Sequence, residues 1–180
     1  MINRFIVLLA ALVLPLAAAA QDAKWQSIVS RDLKFKLEMP APVEQTTADE
    51  KERGHAGARQ AWASKLDDQL FDFDFVDYVE GALAGRDTKE VARELGRGEA
   101  EKLFPKSKYK YVRDELIVAQ GWDGYALDIE DDKGQGVMMR TWIVRDRLYR
   151  LLVSHKGDMK SKSAATRFLE SLKFAETRAP

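Results

Sequence analysis

Apolar and polar residues alternate with a period of two along much of the chain, which is typical of half-buried β-strands. The strongest example is residues 70–79, in which three phenylalanines on one side alternate with Asp72 and Asp74 on the other. The same pattern predicts further strands at residues 25–30, 33–39, 61–66, 109–120, 125–131, 137–145 and 148–155. Residues 43–53 are polar and fit an exposed strand or a loop equally well. The short spacings favour antiparallel hairpins, since parallel strands need long crossovers.

Two segments follow the helical period instead. Residues 87–104 place their apolar side chains near one stripe, after an acidic capping pattern. Gly96 and Gly98 weaken this helix, so we expect it to kink there or to divide in two. A last helix is predicted to start at residues 157–158, with its apolar stripe in residues 164–172. These elements predict an α+β fold with a single domain, in which two main helices flank a central antiparallel sheet of about six to eight strands.

Residues 1–20 have the features of a secretory signal peptide. One arginine precedes an apolar run that ends in small residues, which predicts cleavage between Ala20 and Gln21. A retained membrane anchor is the alternative, but the run of residues 5–20 is shorter than the roughly 20 residues that cross a bilayer. No cysteine follows the run, so a lipoprotein anchor is excluded. We therefore expect residues 21–180 to be a periplasmic or secreted domain with no transmembrane segment.

Composition narrows the possible functions. The chain has 180 residues, with 29 Lys and Arg against 29 Asp and Glu. This balanced charge argues against a nucleic-acid-binding protein, which would usually be basic. The chain has no cysteine, which excludes disulfides, thiolate metal sites and cysteine nucleophiles.

No sequence motif indicates catalysis. His55 and His155 are the two histidines, and neither has a second histidine at metal-ligand spacing. No G-x-S-x-G elbow marks a nucleophile, and the G-x-G at residues 134–136 precedes a strand rather than a helix. We therefore predict no catalytic, cofactor-binding or metal-binding residues and a protein that is not an enzyme. Asp72 and Asp74 fit a solvent-facing strand side, although they could also hold a hard cation or pair with a basic partner.

One stretch is a candidate interaction surface. Lys106, Lys108, Lys110 and Arg113 alternate with tyrosines, which would give a basic face backed by an aromatic one. Such a face could dock an anionic lipid or an acidic protein, although an ordinary exposed strand has the same pattern. Trp122 lies in a predicted G-W-D-G turn, where an aromatic at a loop tip could contact a partner.

The two ends of the predicted domain carry a resemblance. The first segment comprises residues 25–28, continued through Phe35 to Met39 and Pro40, and the closing segments are residues 147–153 and 164–172. Together they resemble the PsbP-like family of α-β-α sandwiches, which includes many small exported bacterial proteins. The resemblance implies a central antiparallel sheet with helices on its faces. It also implies a binding or assembly role rather than catalysis, and it carries over no functional residue.

The leading hypothesis is an exported, non-catalytic module of the cell envelope that binds a protein partner. It rests on the export signal, the resemblance and the lack of a catalytic motif. The alternative is a periplasmic carrier of a small ligand or lipid, in which the helix at residues 87–104 opens over an aromatic-rich sheet. A hydrolase without a recognisable motif is the third possibility.

Overall fold

The computed structural model describes residues 24–49, 58–103, 109–157 and 162–176. Within these ranges the strands are β1 (Trp25–Val29), β2 (Phe35–Pro40), β3 (Val43–Asp49), β4 (Ala58–Leu66), β5 (Gln69–Asp77), β6 (Tyr109–Ala119), β7 (Trp122–Asp131), β8 (Gly136–Val144), β9 (Arg147–His155) and β10 (Lys173–Phe174). The helices are α1 (Thr88–Leu103) and α2 (Lys162–Ser171). The predicted cleavage site between Ala20 and Gln21 lies outside the described residues.

The strands form two sheets rather than one. The larger sheet has seven strands in the order β3-β4-β5-β9-β8-β7-β6, which agrees with the predicted six to eight. The smaller sheet has the order β1-β2-β10. Neighbouring strands are antiparallel throughout, as their short connections predict. The fold is therefore α+β, with the first two strands set apart from the main sheet.

One side of the larger sheet, the aromatic face, carries the main hydrophobic core. Phe71, Phe73 and Phe75 of β5 point to this face and are at most 3% exposed. The small sheet covers them, and the ring centroids of Phe35 and Phe73 are 4.8 Å apart. Helix α2 continues the cover through Phe168, whose ring centroid lies 5.5 Å from that of Phe71. The strand with the strongest alternation is thus a core strand, as predicted.

The opposite side of the larger sheet, the helix face, is covered by α1 over β7 and β8. Ala92 and Ala100 of α1 pack against Tyr125 of β7. Gly96 approaches the same ring so closely that a Cβ there would lie 2.9 Å from a ring carbon. Helix α1 is a single helix from Thr88 to Leu103, so the expected division at the glycines was wrong. Because Gly96 has no side chain, α1 can pack closely on the sheet. The apolar surface buried by this packing offsets the low helix propensity of glycine.

Two predicted boundaries differ from the structure. The turn between β6 and β7 consists of Gln120 and Gly121, with φ values of 53° and 81°. Two successive positive φ angles are typical of the tight hairpin turn that matches strand twist, so Trp122 already belongs to β7. Gly157, the predicted start of the last helix, lies in a bend with a φ of 67°, and the described part of α2 starts at Lys162. Residues 158–161 lie outside the described residues.

Candidate functional site

Strand β6 forms one edge of the larger sheet, and its outer side pairs with no other strand of the described chain. It has 11 residues, and a register shift between Tyr111 and Arg113 leaves Val112 in a β-bulge. An unpaired edge of this length offers backbone N–H and C=O groups to a further strand.

The same strand exposes apolar side chains. Tyr111 is 50% exposed, Val112 59%, Leu116 43% and Val118 69%. These four residues, which we call the β6 surface, make up half of the eight large apolar side chains exposed among the described residues. Leu116 lies opposite Tyr125, whose side chain packs under α1, so Leu116 faces the α1 side of the sheet.

The predicted basic residues of β6 have acidic neighbours. The Lys110 ammonium lies 3.8 Å from the Glu130 carboxylate. Arg113 donates a hydrogen bond to Glu115 at 2.6 Å. Both basic side chains belong to the described part of the predicted interaction surface, and both are partly neutralised within the strand pair.

Trp122, the remaining described residue of the predicted interaction surface, does not extend the β6 surface. Trp122 is half-buried and packs against the main core. Its Nε1 donates a hydrogen bond to the carbonyl oxygen of Glu176 at 3.0 Å. It therefore does not stand at an exposed loop tip, because the turn ends one residue earlier than the sequence suggested. Lys106 and Lys108 lie outside the described residues.

A hydrogen-bonded cluster fixes β6 against α1. Tyr125 donates to Asp114 Oδ1 at 2.5 Å, and Arg97 of α1 contacts both the Tyr125 hydroxyl and the Asp114 carboxylate. Burial and the hydrogen bond to Asp114 raise the pKa of Tyr125 to about 12, so its hydroxyl remains a donor at neutral pH. Burial opposes ionisation of Asp114, but the hydrogen bonds from Tyr125 and Arg97 outweigh it and lower the pKa of Asp114. The cluster gives β6 a fixed orientation.

A second feature is a groove of about 860 Å³ on the part of the helix face beside α1. Strands β4, β5 and β9 form its floor, and α1 and the β7–β8 hairpin border it. Four basic and six acidic side chains line this charged groove. The acidic ones are Asp67, Asp68, Asp72, Asp74, Glu99 and Asp131.

Asp74 is the centre of an ion-pair network at the inner side of the charged groove. Its Oδ2 accepts hydrogen bonds from Arg59 at 3.0 Å and from Arg150 at 2.9 Å. Arg150 also reaches Glu99 of α1 at 3.0 Å. Asp74 is 3% exposed, so the expectation that it faces solvent was wrong. The two arginines compensate the carboxylate charge, which makes its burial possible.

Asp72 lies two residues earlier on the same side of β5 and lacks this compensation. It is half-buried, and no hydrogen bond or ion pair joins it to another described side chain. Burial raises the pKa of Asp72 and the charge of Asp74 adds to the rise, while Arg59 and Arg150 oppose it. A perturbed carboxylate in a groove is a candidate for a functional group.

Among the described residues, no histidine belongs to a group of side chains that could act in catalysis or bind a metal ion. His155 ends β9 at the rim of the charged groove, with its Nδ1 3.1 Å from the carbonyl oxygen of Gly157. His55 lies outside the described residues. No three His, Cys, Asp or Glu side chains among the described residues converge as metal ligands would. In the same part of the chain, no helix has both the length and the apolarity needed to cross a membrane.

No protein-family model and no curated protein matches the sequence. Solved structures do match. The solution structure of cyanobacterial PsbP (CyanoP) from Synechocystis sp. PCC 6803 is similar over 87% of this chain and 95% of that chain, with 12% identity and a TM-score of 0.60. A Bacteroides thetaiotaomicron protein matches over 83% of this chain and 48% of that chain, with 10% identity and a TM-score of 0.44. A Pseudomonas aeruginosa protein of unknown function matches over 87% of this chain and 98% of that chain, with 14% identity and a TM-score of 0.42. The Synechocystis match and the arrangement of two helices around a large antiparallel sheet show that this chain has a PsbP-like fold.

Proposed function

We propose that the protein is an exported, non-catalytic binding module of the cell envelope that docks a protein partner along β6. The partner adds an extended segment to the outer edge of β6 and packs apolar side chains on the β6 surface. This mode of recognition uses backbone hydrogen bonds for affinity and side-chain contacts for specificity.

The proposal rests on the exposed apolar side chains of β6. Leu116 and Val118 stand free of the core on a strand whose outer edge has no partner in the described chain. Exposed apolar groups along an unpaired edge are a liability unless something covers them. A protein partner would remove both the apolar surface and the unpaired backbone groups from water.

The other edge of the same sheet provides an internal contrast. Strand β3 carries Glu44, Gln45, Thr46 and Thr47 in succession, and all four are exposed. Polar edges of this kind resist additional strand pairing. The apolar character of β6 is therefore not a general property of the edges of this sheet.

Site-specific photocrosslinking in the native host tests the docking site. A photoreactive amino acid replaces Val118 on β6, which is 69% exposed, and in a control replaces Val29 on β1, which is 53% exposed. Both are exposed valines on edge strands. We expect one protein to be captured at position 118 and not at position 29. Equal capture at both positions, or none at position 118, would contradict the proposal.

The charge variant Val118→Asp, with Val29→Asp as its control, separates a partner from self-association. Both side chains are exposed, so neither variant should unfold the domain. We expect Val118→Asp alone to abolish the crosslinked complex, which can be followed with a crosslinker at Leu116. If the captured protein is a second copy of this chain, light scattering will show a dimer that Val118→Asp dissociates, and the partner proposal is wrong.

Export is proposed from the pattern of residues 1–20. The test is N-terminal sequencing and intact mass of the protein recovered from the envelope fraction of its host. We expect a chain that starts at Gln21. Recovery of the uncleaved chain in the cytoplasm would contradict this part of the proposal.

One observation favours the alternative, a carrier of a small ligand: the charged groove of about 860 Å³. Its volume lies within the range of about 300–1,000 Å³ that small-molecule sites occupy. Helix α1 does not act as a lid on the aromatic face, because the small sheet and α2 cover that face. Native mass spectrometry of protein purified from the host tests the alternative through a retained mass increment.

A further inference from the structure

We propose that the charged groove binds a cationic amine, which docks on the carboxylate of Asp72. The ammonium group belongs to a free polyamine or to a lysine side chain of a protein segment. The inference is independent of the β6 surface. It shares with the carrier alternative the requirement that the groove admits a ligand.

The groove has a surplus of hydrogen-bond acceptors. Asp74 is 3% exposed and lines the groove, yet its Oδ1 is buried and accepts no hydrogen bond. Oδ1 of Asp68 is buried without a donor in the same lining. Asp72, between them in sequence, is joined to no other described side chain by a hydrogen bond or ion pair. Buried acceptors without donors are unfavourable, and an ammonium group brings three N–H donors.

The charges in the groove lining do not balance. Acidic side chains outnumber basic ones in the lining by six to four. Arg59 and Arg150 are already engaged by Asp74. The two remaining basic residues, Lys65 and Lys156, are exposed, where water screens their charge. The uncompensated charge on the floor is therefore negative and centred on Asp72, whose pKa burial raises.

Apolar surface lies next to Asp72 in the groove. Leu152 of β9 lies directly opposite Asp72 in the sheet, and Leu70 lies two residues before Asp72 on the same side of β5. Both leucines line the groove, and Leu70 is 49% exposed. The methylene stem of a polyamine or a lysine can lie along these side chains while its ammonium reaches Asp72.

An amine suits the groove better than a metal ion does. Two guanidinium groups already occupy Oδ2 of Asp74, which leaves only its Oδ1 and the Asp72 carboxylate at this pair, fewer oxygen ligands than a hard metal cation takes. No group of three potential ligands is assembled among the described residues. The sequence-based alternative of a hard cation at this pair of aspartates is therefore replaced by an organic cation.

Titration calorimetry and amide chemical-shift mapping at neutral pH and physiological salt test the proposal. The probes are spermidine and a short lysine peptide, each compared with its N-acetylated form, which lacks the amine charge. The variant is Asp72→Asn, which keeps the shape and removes the charge. Asp132→Asn is the control, because it removes the same charge from an exposed side chain that is not part of the groove lining. Thermal unfolding confirms that both variants are folded.

We expect at least one probe to bind saturably, with shifts at Ala63 and Leu152 beside Asp72, and the acetylated form not to bind. Asp72→Asn should weaken binding by about tenfold or more, as loss of a charge-assisted hydrogen bond does, while Asp132→Asn leaves it unchanged. The probe that binds more tightly identifies the source as a polyamine or a protein lysine. The proposal is overturned if neither probe binds saturably, or if both variants behave alike. If protein purified from the host retains a small molecule that is not an amine, this would support the carrier alternative and refute the proposed amine site.

Discussion

The two sides of strand β5, an interior strand of the seven-stranded sheet, bury their side chains by different means. On the aromatic face, Phe71, Phe73 and Phe75 interlock with rings from the small sheet and α2. On the helix face, Asp74 is buried through ion pairs, and Asp72 is half-buried without any. Packing leaves the three phenylalanines at most 3% exposed, whereas the helix side of β5 keeps an open groove. The comparison separates the part of the protein that provides stability from the part that can receive a ligand.

The largest effect is expected on the aromatic face. Phe73→Ala removes a ring that is 0% exposed and touches both Phe35 and Trp62. The cavity should lower the free energy of unfolding by about 3–5 kcal/mol. Urea denaturation followed by tryptophan fluorescence measures this change. A loss below about 1 kcal/mol would show that the small sheet can collapse into the gap and that the aromatic face is not closely packed.

Breaking the network on the helix face should cost less. Asp74→Ala leaves Arg59 and Arg150 without their shared carboxylate, but Arg150 keeps Glu99 and Arg59 keeps partial contact with water. We expect a loss of about 2–3 kcal/mol, below the full penalty for an orphaned buried charge. The same denaturation experiment measures it, with Asp132→Asn as a control for the charge change. A loss as large as that of Phe73→Ala would mean that the two faces contribute equally to stability.

The glycines of α1 test how closely the helix packs on its half of the helix face. In Gly96→Ala the new Cβ would meet the Tyr125 ring at 2.9 Å, whereas in Gly98→Ala it would meet no atom within 4 Å. The first change should destabilise the fold by about 1–2 kcal/mol, and the second should stabilise it by up to about 1 kcal/mol. Thermal melting of the two variants side by side gives the signs. Stabilisation by both would show that α1 can move away from the sheet.

The smallest effect on the free energy of unfolding is expected for Asp72→Asn. This substitution should stabilise the fold, whereas Asp74→Ala should destabilise it. Because the folded protein raises the pKa of Asp72, it binds the proton more tightly than the unfolded chain does. The ionised form therefore destabilises the fold above the raised pKa, and this cost disappears as the pH falls below the pKa of the unfolded chain. Asp72→Asn should raise the free energy of unfolding at pH 7 by up to about 1 kcal/mol.

Denaturation of the wild type and Asp72→Asn from pH 3 to pH 8 measures this difference. The gain should shrink as the pH falls, because the wild-type carboxyl then becomes neutral as well. A variant that is less stable than the wild type at pH 7 would contradict the account of Asp72 as an uncompensated carboxylate.

The alternation along β5 was enough to predict which of its residues form the core, since a strand with three phenylalanines on one side has one way to face the interior. It was not enough to predict the environment of Asp74. That depends on Arg150 lying directly opposite in β9 and on Arg59 reaching across from β4, and both depend on a strand order that brings distant segments together. A search for opposite charges at matching positions of predicted strands would have suggested the Asp74–Arg150 pair.

The small sheet could not be predicted from the sequence pattern, because it also depends on pairing between distant segments. Strand β10 has two residues, too few to show any alternation, and it pairs with β2 from the other end of the chain. The exposed character of β6 was only partly predicted. The alternation of lysines and tyrosines marked the strand, but Leu116 and Val118 became notable only when β6 proved to be an edge strand.

The pairing of β2 with β10 affects the nascent chain before it has folded. Gln120 holds β10 in place through two hydrogen bonds to the backbone of Phe174, at 2.8 Å and 3.0 Å. The cover of the aromatic face is therefore completed only by residues of β10, which follow every other described strand in the sequence. Until they emerge, the nascent chain presents a row of phenylalanines to its surroundings. Contacts between distant segments also slow folding. We therefore expect the nascent chain to depend on chaperones more than the stability of the folded protein would indicate.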